Sequence, residues 1–163
     1  MRIVVTSDSH RNTRNLYEII EKHKESTDLF INLGDGEDDV DSALLLYPTI
    51  KLERVCGNCD WGSALPIEKE ISAQGKKIFF THGHPYYVKH GYERIEEEAK
   101  NRGADICLFG HTHIPYTEYK DGIYFMNPGA VFNGSYGIID ITDSGIMTYL
   151  SLIHISEPTR RVV

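Results

Sequence analysis

Five short segments carry the side chains with chemical potential: Asp8-Ser9-His10, Gly34-Asp35, Gly57-Asn58-Cys59-Asp60, Thr81-His82-Gly83-His84 and Gly110-His111-Thr112-His113. Carboxylate, imidazole and amide oxygen together suit Mn²⁺, Fe²⁺, Zn²⁺ or Ni²⁺; softer ions prefer thiolates, and Mg²⁺ or Ca²⁺ take oxygen shells. The five segments supply enough ligands for two ions. Asp8 and His10 lie two apart, so an extended backbone there would project both toward one side. His111 and His113 repeat that spacing, and glycines at 34, 57, 83 and 110 allow the tight turns that a crowded site needs.

The elements that must position these residues are legible from hydrophobic periodicity. Arg2 to Ser7, Asp28 to Leu33, Ile50 to Cys56 and Asp105 to Phe109 read as apolar strands. Leu16, Ile19, Ile20 and His23 mark one face of a helix, and further helices are predicted over Asp39 to Tyr47 and Tyr92 to Arg102, the last closed by Gly103. Three hairpins follow from turn residues: Ile67 to Ser72 with Lys76 to Thr81, Tyr116 to Tyr119 with Ile123 to Met126, and Tyr136 to Asp140 with Ile146 to Tyr149. Each motif thus falls just after a strand. In α/β folds, loops beyond strand carboxyl ends converge on one crevice. βαβ units followed by hairpins imply an α/β chain with two mixed β-sheets packed face to face and flanked by helices.

Composition narrows the function classes. The 163 residues fit one domain, and 40% hydrophobic with 25% charged residues is ordinary for a globular protein. A formal charge of −7 argues against a broad nucleic-acid surface and for a small phosphorylated ligand at a locally positive metal site. No apolar run suits a membrane span, and Met1 to Thr6 reads directly as a strand without a secretory signal, so cytoplasm is the expected compartment. Cys56, Cys59 and Cys107 are too few for a disulfide framework, and the lone C-x-x-C lacks the second pair of a zinc site. The acidic group Asp38, Asp39 and Asp41 reads as a solvated helix start. His23 and His90 have no motif support and are expected to be structural. Trp61 and Tyr86-Tyr87 could stack on a base or aryl group, or simply pack.

The motifs D-S-H, G-D, G-N-C-D, T-H-G-H and G-H-T-H, in this order, resemble those of the calcineurin-like metallophosphoesterases, and within them the small YfcE-like phosphodiesterases. Asn127-Pro128-Gly129 and Ser135-Tyr136-Gly137 resemble the family's closing segment. The resemblance spans residues 1 to 149 and implies a four-layer αββα sandwich. It implies that Asp8, His10 and His113 hold one metal, that Asn58, His82 and His111 hold the other, and that Asp35 bridges them. Two ions about 3.5–4 Å apart would share a hydroxide that attacks phosphorus in line, with Mn²⁺ favoured and Ni²⁺, Fe²⁺ or Zn²⁺ as the other options. Cys59 stands where many larger members carry a proton-donating histidine, and its neutral thiol is a weak donor. His84 is then the first candidate acid, with support of a metal ligand as the other reading of its place, and Asp60 is expected to orient a ligand. The alternative class is a scaffold of this fold that binds protein partners, as the metallophosphoesterase-like retromer subunit does; the full ligand set favours catalysis. Homo-oligomerisation is left open.

From Leu150 onward LSLIHISEPTR resembles the translated reading of a transposase adapter used in preparing sequencing libraries. Residues 150 to 163 are therefore expected to be a non-native tail, and His154 is given no role.

Overall fold

The computed structural model describes residues 1–153. Strands β1 (Arg2–Thr6), β2 (Leu29–Asn32) and β3 (Leu52–Arg54) run parallel, with helices α1 (Thr13–His23) and α2 (Glu37–Leu46) between them. After β4 (Glu68–Ala73) and β5 (Lys76–Thr81) come helix α3 (Glu93–Arg102) and strands β6 (Ile106–Leu108), β7 (Tyr116–Lys120), β8 (Ile123–Asn127), β9 (Ser135–Thr142) and β10 (Gly145–Leu152). They form two five-stranded mixed sheets, ordered β10-β9-β1-β2-β3 and β4-β5-β6-β8-β7.

The alternation within strands divides the core into layers. Ile3, Val5 and Ile31 face Ile78, Phe80, Ile106 and Leu108 across the seam between sheets. Val4 and Phe30 point the other way, onto Leu16, Ile19 and Ile20 of α1 and Val40 of α2. Phe79 and Cys107 do the same toward Ile95 and Ala99 of α3. Helix, sheet, sheet, helix is the expected four-layer αββα order, and successive side chains of one strand enter different layers because strand period is two.

Several predicted boundaries shift by one or two residues: strand β3 is Leu52–Arg54 rather than Ile50 to Cys56, and β9 is Ser135–Thr142 rather than Tyr136 to Asp140. The helix after β2 begins at Glu37 rather than Asp39. Strand β10 runs past Tyr149: Leu150, Ser151 and Leu152 pair with Gly137, Tyr136 and Ser135 of β9, and the amide of Ile153 donates to the Gly134 carbonyl. β10 is an edge, where main-chain pairing accepts any alternating apolar sequence; the tail boundary at 149 remains a proposal about origin rather than conformation. His154 lies outside the described residues.

Candidate metal centre

Every proposed ligand follows the carboxyl end of a parallel strand: Asp8 and His10 after β1, Asp35 after β2, Asn58 after β3, His82 after β5, and His111 and His113 after β6. The loops meet at the top of the seam, so one sheet contributes Asp8, His10 and Asp35 and the other contributes His82, His111 and His113. The backbone there is not extended as expected for Asp8 and His10. Asp8, His10, Asp35, His111 and His113 adopt φ of 57°, 43°, 60°, 73° and 64°. Left-handed conformations cost non-glycine residues about 1–3 kcal/mol each and persist only where surroundings over-determine them. Here the Asp8 amide donates to the Gly34 carbonyl at 2.9 Å, the His10 amide to the Asp35 carbonyl at 3.1 Å, and the His111 amide to Asp8 Oδ2 at 3.1 Å.

The side chains form two triads, Asp8–His10–His113 and Asp35–His82–His111, each with its ligand atoms within 4.8 Å of one another. His113 Nε2 lies 3.2 Å and His10 Nε2 3.3 Å from Asp8 Oδ1. His82 Nε2 lies 3.2 Å from both Asp35 Oδ2 and His111 Nδ1. Asp35 Oδ2 is also 3.7 Å from His10 Nε2, so this carboxylate joins the two triads. Cys59 Sγ forms a third grouping with His10 and Asp35. Asn58 is the proposed ligand that the structure does not bring into the cluster: exposed at its edge, it directs its amide nitrogen to Cys59 Sγ at 3.6 Å.

The tautomer of His82 tests whether these residues fit a cation. Its Nδ1 sits 2.8 Å from the Leu33 carbonyl, which can only accept, so Nδ1 carries the proton. In the neutral ring the Nε2 lone pair then faces a carboxylate and a second imidazole, an arrangement that a shared cation or an extra proton must relieve. Burial disfavours that extra proton, yet the hydrogen bond to Asp35 and the charges of Asp8 and Asp35 outweigh it and raise the His82 pKa. Asp35 loses by its own burial but is pulled well below the usual carboxylate range by His82, the Cys59 amide and His10. Asp8 is likewise lowered against burial by His113 and His82. Burial, then His82 and Lys89, bring His111 down to about 4, leaving its lone pair free at neutral pH. The donor set fits hard to borderline divalent metals.

Three groups position the motif loops: Asp60, expected from the sequence to orient a ligand, and Asn127 and Asp39, whose roles escaped it. Asp60 accepts the amides of Asp35, Gly36, Glu37 and Gly57 at 2.7–3.1 Å, locking the second and third motif loops together. Asn127 donates to the Gly110 carbonyl at 3.1 Å and to Thr112 Oγ1 at 2.9 Å, bracing the loop of His111 and His113. Asp39, expected to be solvated, is buried instead and accepts Ser9 Oγ at 2.5 Å and the Arg11 amide at 2.9 Å. The signal for Asp39 was its place in the first turn of α2, facing a loop whose strand-end position was already legible. His84 lies against His82 and His111, with ring centroids 5.5 and 6.2 Å away, and its buried Nδ1 has no hydrogen-bond partner among the described residues. Burial and His82 lower its pKa. The Cys59 thiol is pushed up by burial and by Asp35.

A family model described as the calcineurin-like phosphoesterase superfamily domain matches residues 1–144. The probable metallophosphoesterase YsnB of Bacillus subtilis is 34% identical over 132 residues, covering 80% of this chain and 75% of that protein. Phosphodiesterase YfcE of Escherichia coli is 30% identical over 66% of this chain, which spans half of YfcE. A predicted phosphoesterase from Streptococcus pneumoniae superposes with a TM-score of 0.81 at 27% identity, covering 93% of this chain and 89% of that one. Vps29 of Chaetomium thermophilum, at 17% identity and a TM-score of 0.70 over 92% of this chain and 96% of its own, shares the fold.

Proposed function

Because the chain belongs to the calcineurin-like phosphoesterase superfamily, we infer that it is a metal-dependent phosphodiesterase acting on a small phosphorylated substrate. The observation that carries this reading is the pair of triads joined by Asp35. Asp8, His10 and His113 would hold one divalent ion and His82 and His111 the other, with Asp35 shared; Asn58 would complete the second set by turning its amide from Cys59. Two such ions, Mn²⁺ by preference, would acidify a water at neutral pH and neutralise charge on the phosphoryl oxygens.

The protein's own part is positioning. Asp60 and Asn127 fix the loops, so the ligand atoms stand pre-assembled rather than being gathered at a cost when ions arrive. Burial keeps Asp8 and His82 out of bulk water, where their interactions with charge are stronger. The lowered pKa of His84 makes it a neutral ring at pH 7, suited to hydrogen-bond a leaving oxygen more than to deliver a full proton charge to it. The Cys59 thiol, also neutral, adds little as a donor, and turnover is expected to depend on a good leaving group.

The test couples metal analysis to a panel of phosphodiesters and phosphomonoesters. Two equivalents of Mn²⁺ and hydrolysis of an activated aryl diester, lost on chelation, are expected. Metal-independent turnover overturns the mechanism. A chain that binds two ions and hydrolyses no ester of the panel belongs to the scaffold class instead.

A further inference from the structure

A cleft of about 610 Å³ opens at the candidate metal centre, lined by His10 and Asp35 of the two triads and by Cys59 and Trp61. Trp61 is 90% exposed. The ring is thus not packed by the described residues; an indole presents a large apolar face, so leaving it in water at a cleft wall forgoes substantial burial energy. Trp61 directly follows Asp60, whose carboxylate accepts the Glu37 amide at 3.1 Å, which brings the two segments together at this cleft. Glu37 lines the same cleft, and its Oε1 is buried with no hydrogen-bond partner among the described residues. Oε1 is closed to a ligand in the cleft, so a hydroxyl or amine donor meets this carboxylate at its other oxygen, which no hydrogen bond or ion pair among the described residues engages. Arg11, exposed on the same cleft, forms no ion pair among the described residues.

Resting on the phosphodiesterase reading, we propose that the cleft selects nucleoside phosphodiesters: the base stacks on Trp61, a sugar hydroxyl donates to Glu37, and Arg11 meets the single negative charge of the diester. The carboxylates of Glu37 and Asp38, which line the same cleft, disfavour substrates with a second phosphate through like-charge repulsion.

Trp61 is the chain's sole tryptophan among ten tyrosines, so emission excited at the red edge, beyond tyrosine absorption, reports on this cleft alone. In the chain treated with chelator, adenosine is expected to quench that emission saturably while dimethyl phosphate does not. With Mn²⁺ added, thymidine 5′-(p-nitrophenyl phosphate) and methyl p-nitrophenyl phosphate release the same chromophore, and their kcat/KM ratio isolates nucleoside recognition. Trp61→Ala is expected to lower that ratio about tenfold, mainly through KM, Trp61→Phe to restore most of it, and Glu37→Ala to lower it severalfold. Hydrolysis of both esters with a ratio unmoved by Trp61→Ala, or no quenching by adenosine, overturns nucleoside selection and leaves the phosphodiesterase reading standing. Saturable quenching without hydrolysis of either ester overturns the phosphodiesterase reading alone.

Discussion

At the scale of single residues, the centre is built on strain that hydrogen bonds restrain. Asp35 combines several roles: it stands in a left-handed conformation, joins two triads and accepts the Cys59 amide at 2.8 Å. Asp35→Asn keeps shape but removes the charge that two cations would share, so metal analysis is expected to find fewer than two equivalents and kcat to fall at least about a hundredfold. Full occupancy and full rate would make Asp35 a bystander. Asp60 acts one layer out, through backbone amides. Asp60→Ala leaves four donors without their acceptor, and a 10–100-fold loss of Mn²⁺ affinity, read by titration calorimetry, is expected of such a supporting partner. Gly57 is constrained by approach alone: a Cβ there would stand 2.1 Å from Asp35 Oδ1, so Gly57→Ala must displace that carboxylate.

Among the elements, strands and helices were legible because their periodicities differ and each strand alternates between two cores. The site was legible as far as residue type and strand-end position go: His82, His111 and Asp35 each fall where β5, β6 and β2 end. The loop conformations were not. Asp8 and His10 converge through left-handed turns rather than a flat strand, and two-residue spacing cannot distinguish the two. Asp39 and Asn127 were missed because their partners, Ser9 and Gly110, are remote in sequence and only the fold supplies them. The tail remained ambiguous because an edge strand extends by backbone pairing, with little demand on sequence. One helix contact has a pH signature of its own. His23 of α1 is buried with Nε2 2.8 Å from Tyr136 Oη of β9. Burial first, then Lys22 and Arg2, lower its pKa from the ordinary histidine value. The unfolded chain therefore binds this proton more tightly, so the contribution is whole above about pH 6.5 and is lost as pH falls from there toward the folded pKa. His23→Gln is expected to flatten the dependence of Tm on pH between 7 and 5 relative to the unaltered chain; parallel curves would remove His23 from the account.

For the whole molecule, the decisive geometry is that the centre spans the seam. Asp8, His10 and Asp35 belong to the sheet of β1 and β2, and His82, His111 and His113 to the sheet of β5 and β6. An ion held by both sets ties the sheets at the end where the loops otherwise carry strained backbone and facing lone pairs. Binding to the folded form alone adds about 2.7 kcal/mol per site at a hundredfold excess over Kd. For a chain of this size each kcal/mol moves Tm by about 2–4 °C, so a single site is worth about 5–10 °C and two sites more. Mn²⁺ is therefore expected to raise Tm by at least about 5 °C over the chelated chain, with unchanged far-UV dichroism, and Asp35→Asn to show a smaller rise. Mg²⁺ at equal concentration should do less, because four imidazoles surround the carboxylates and Mg²⁺ prefers oxygen. That contrast separates coordination from general screening of a chain with a formal charge of −7, which any divalent ion would provide. Equal Tm values in Mn²⁺ and chelator would mean that the seam binds no ion tightly, and the hydrolytic reading would fall with it.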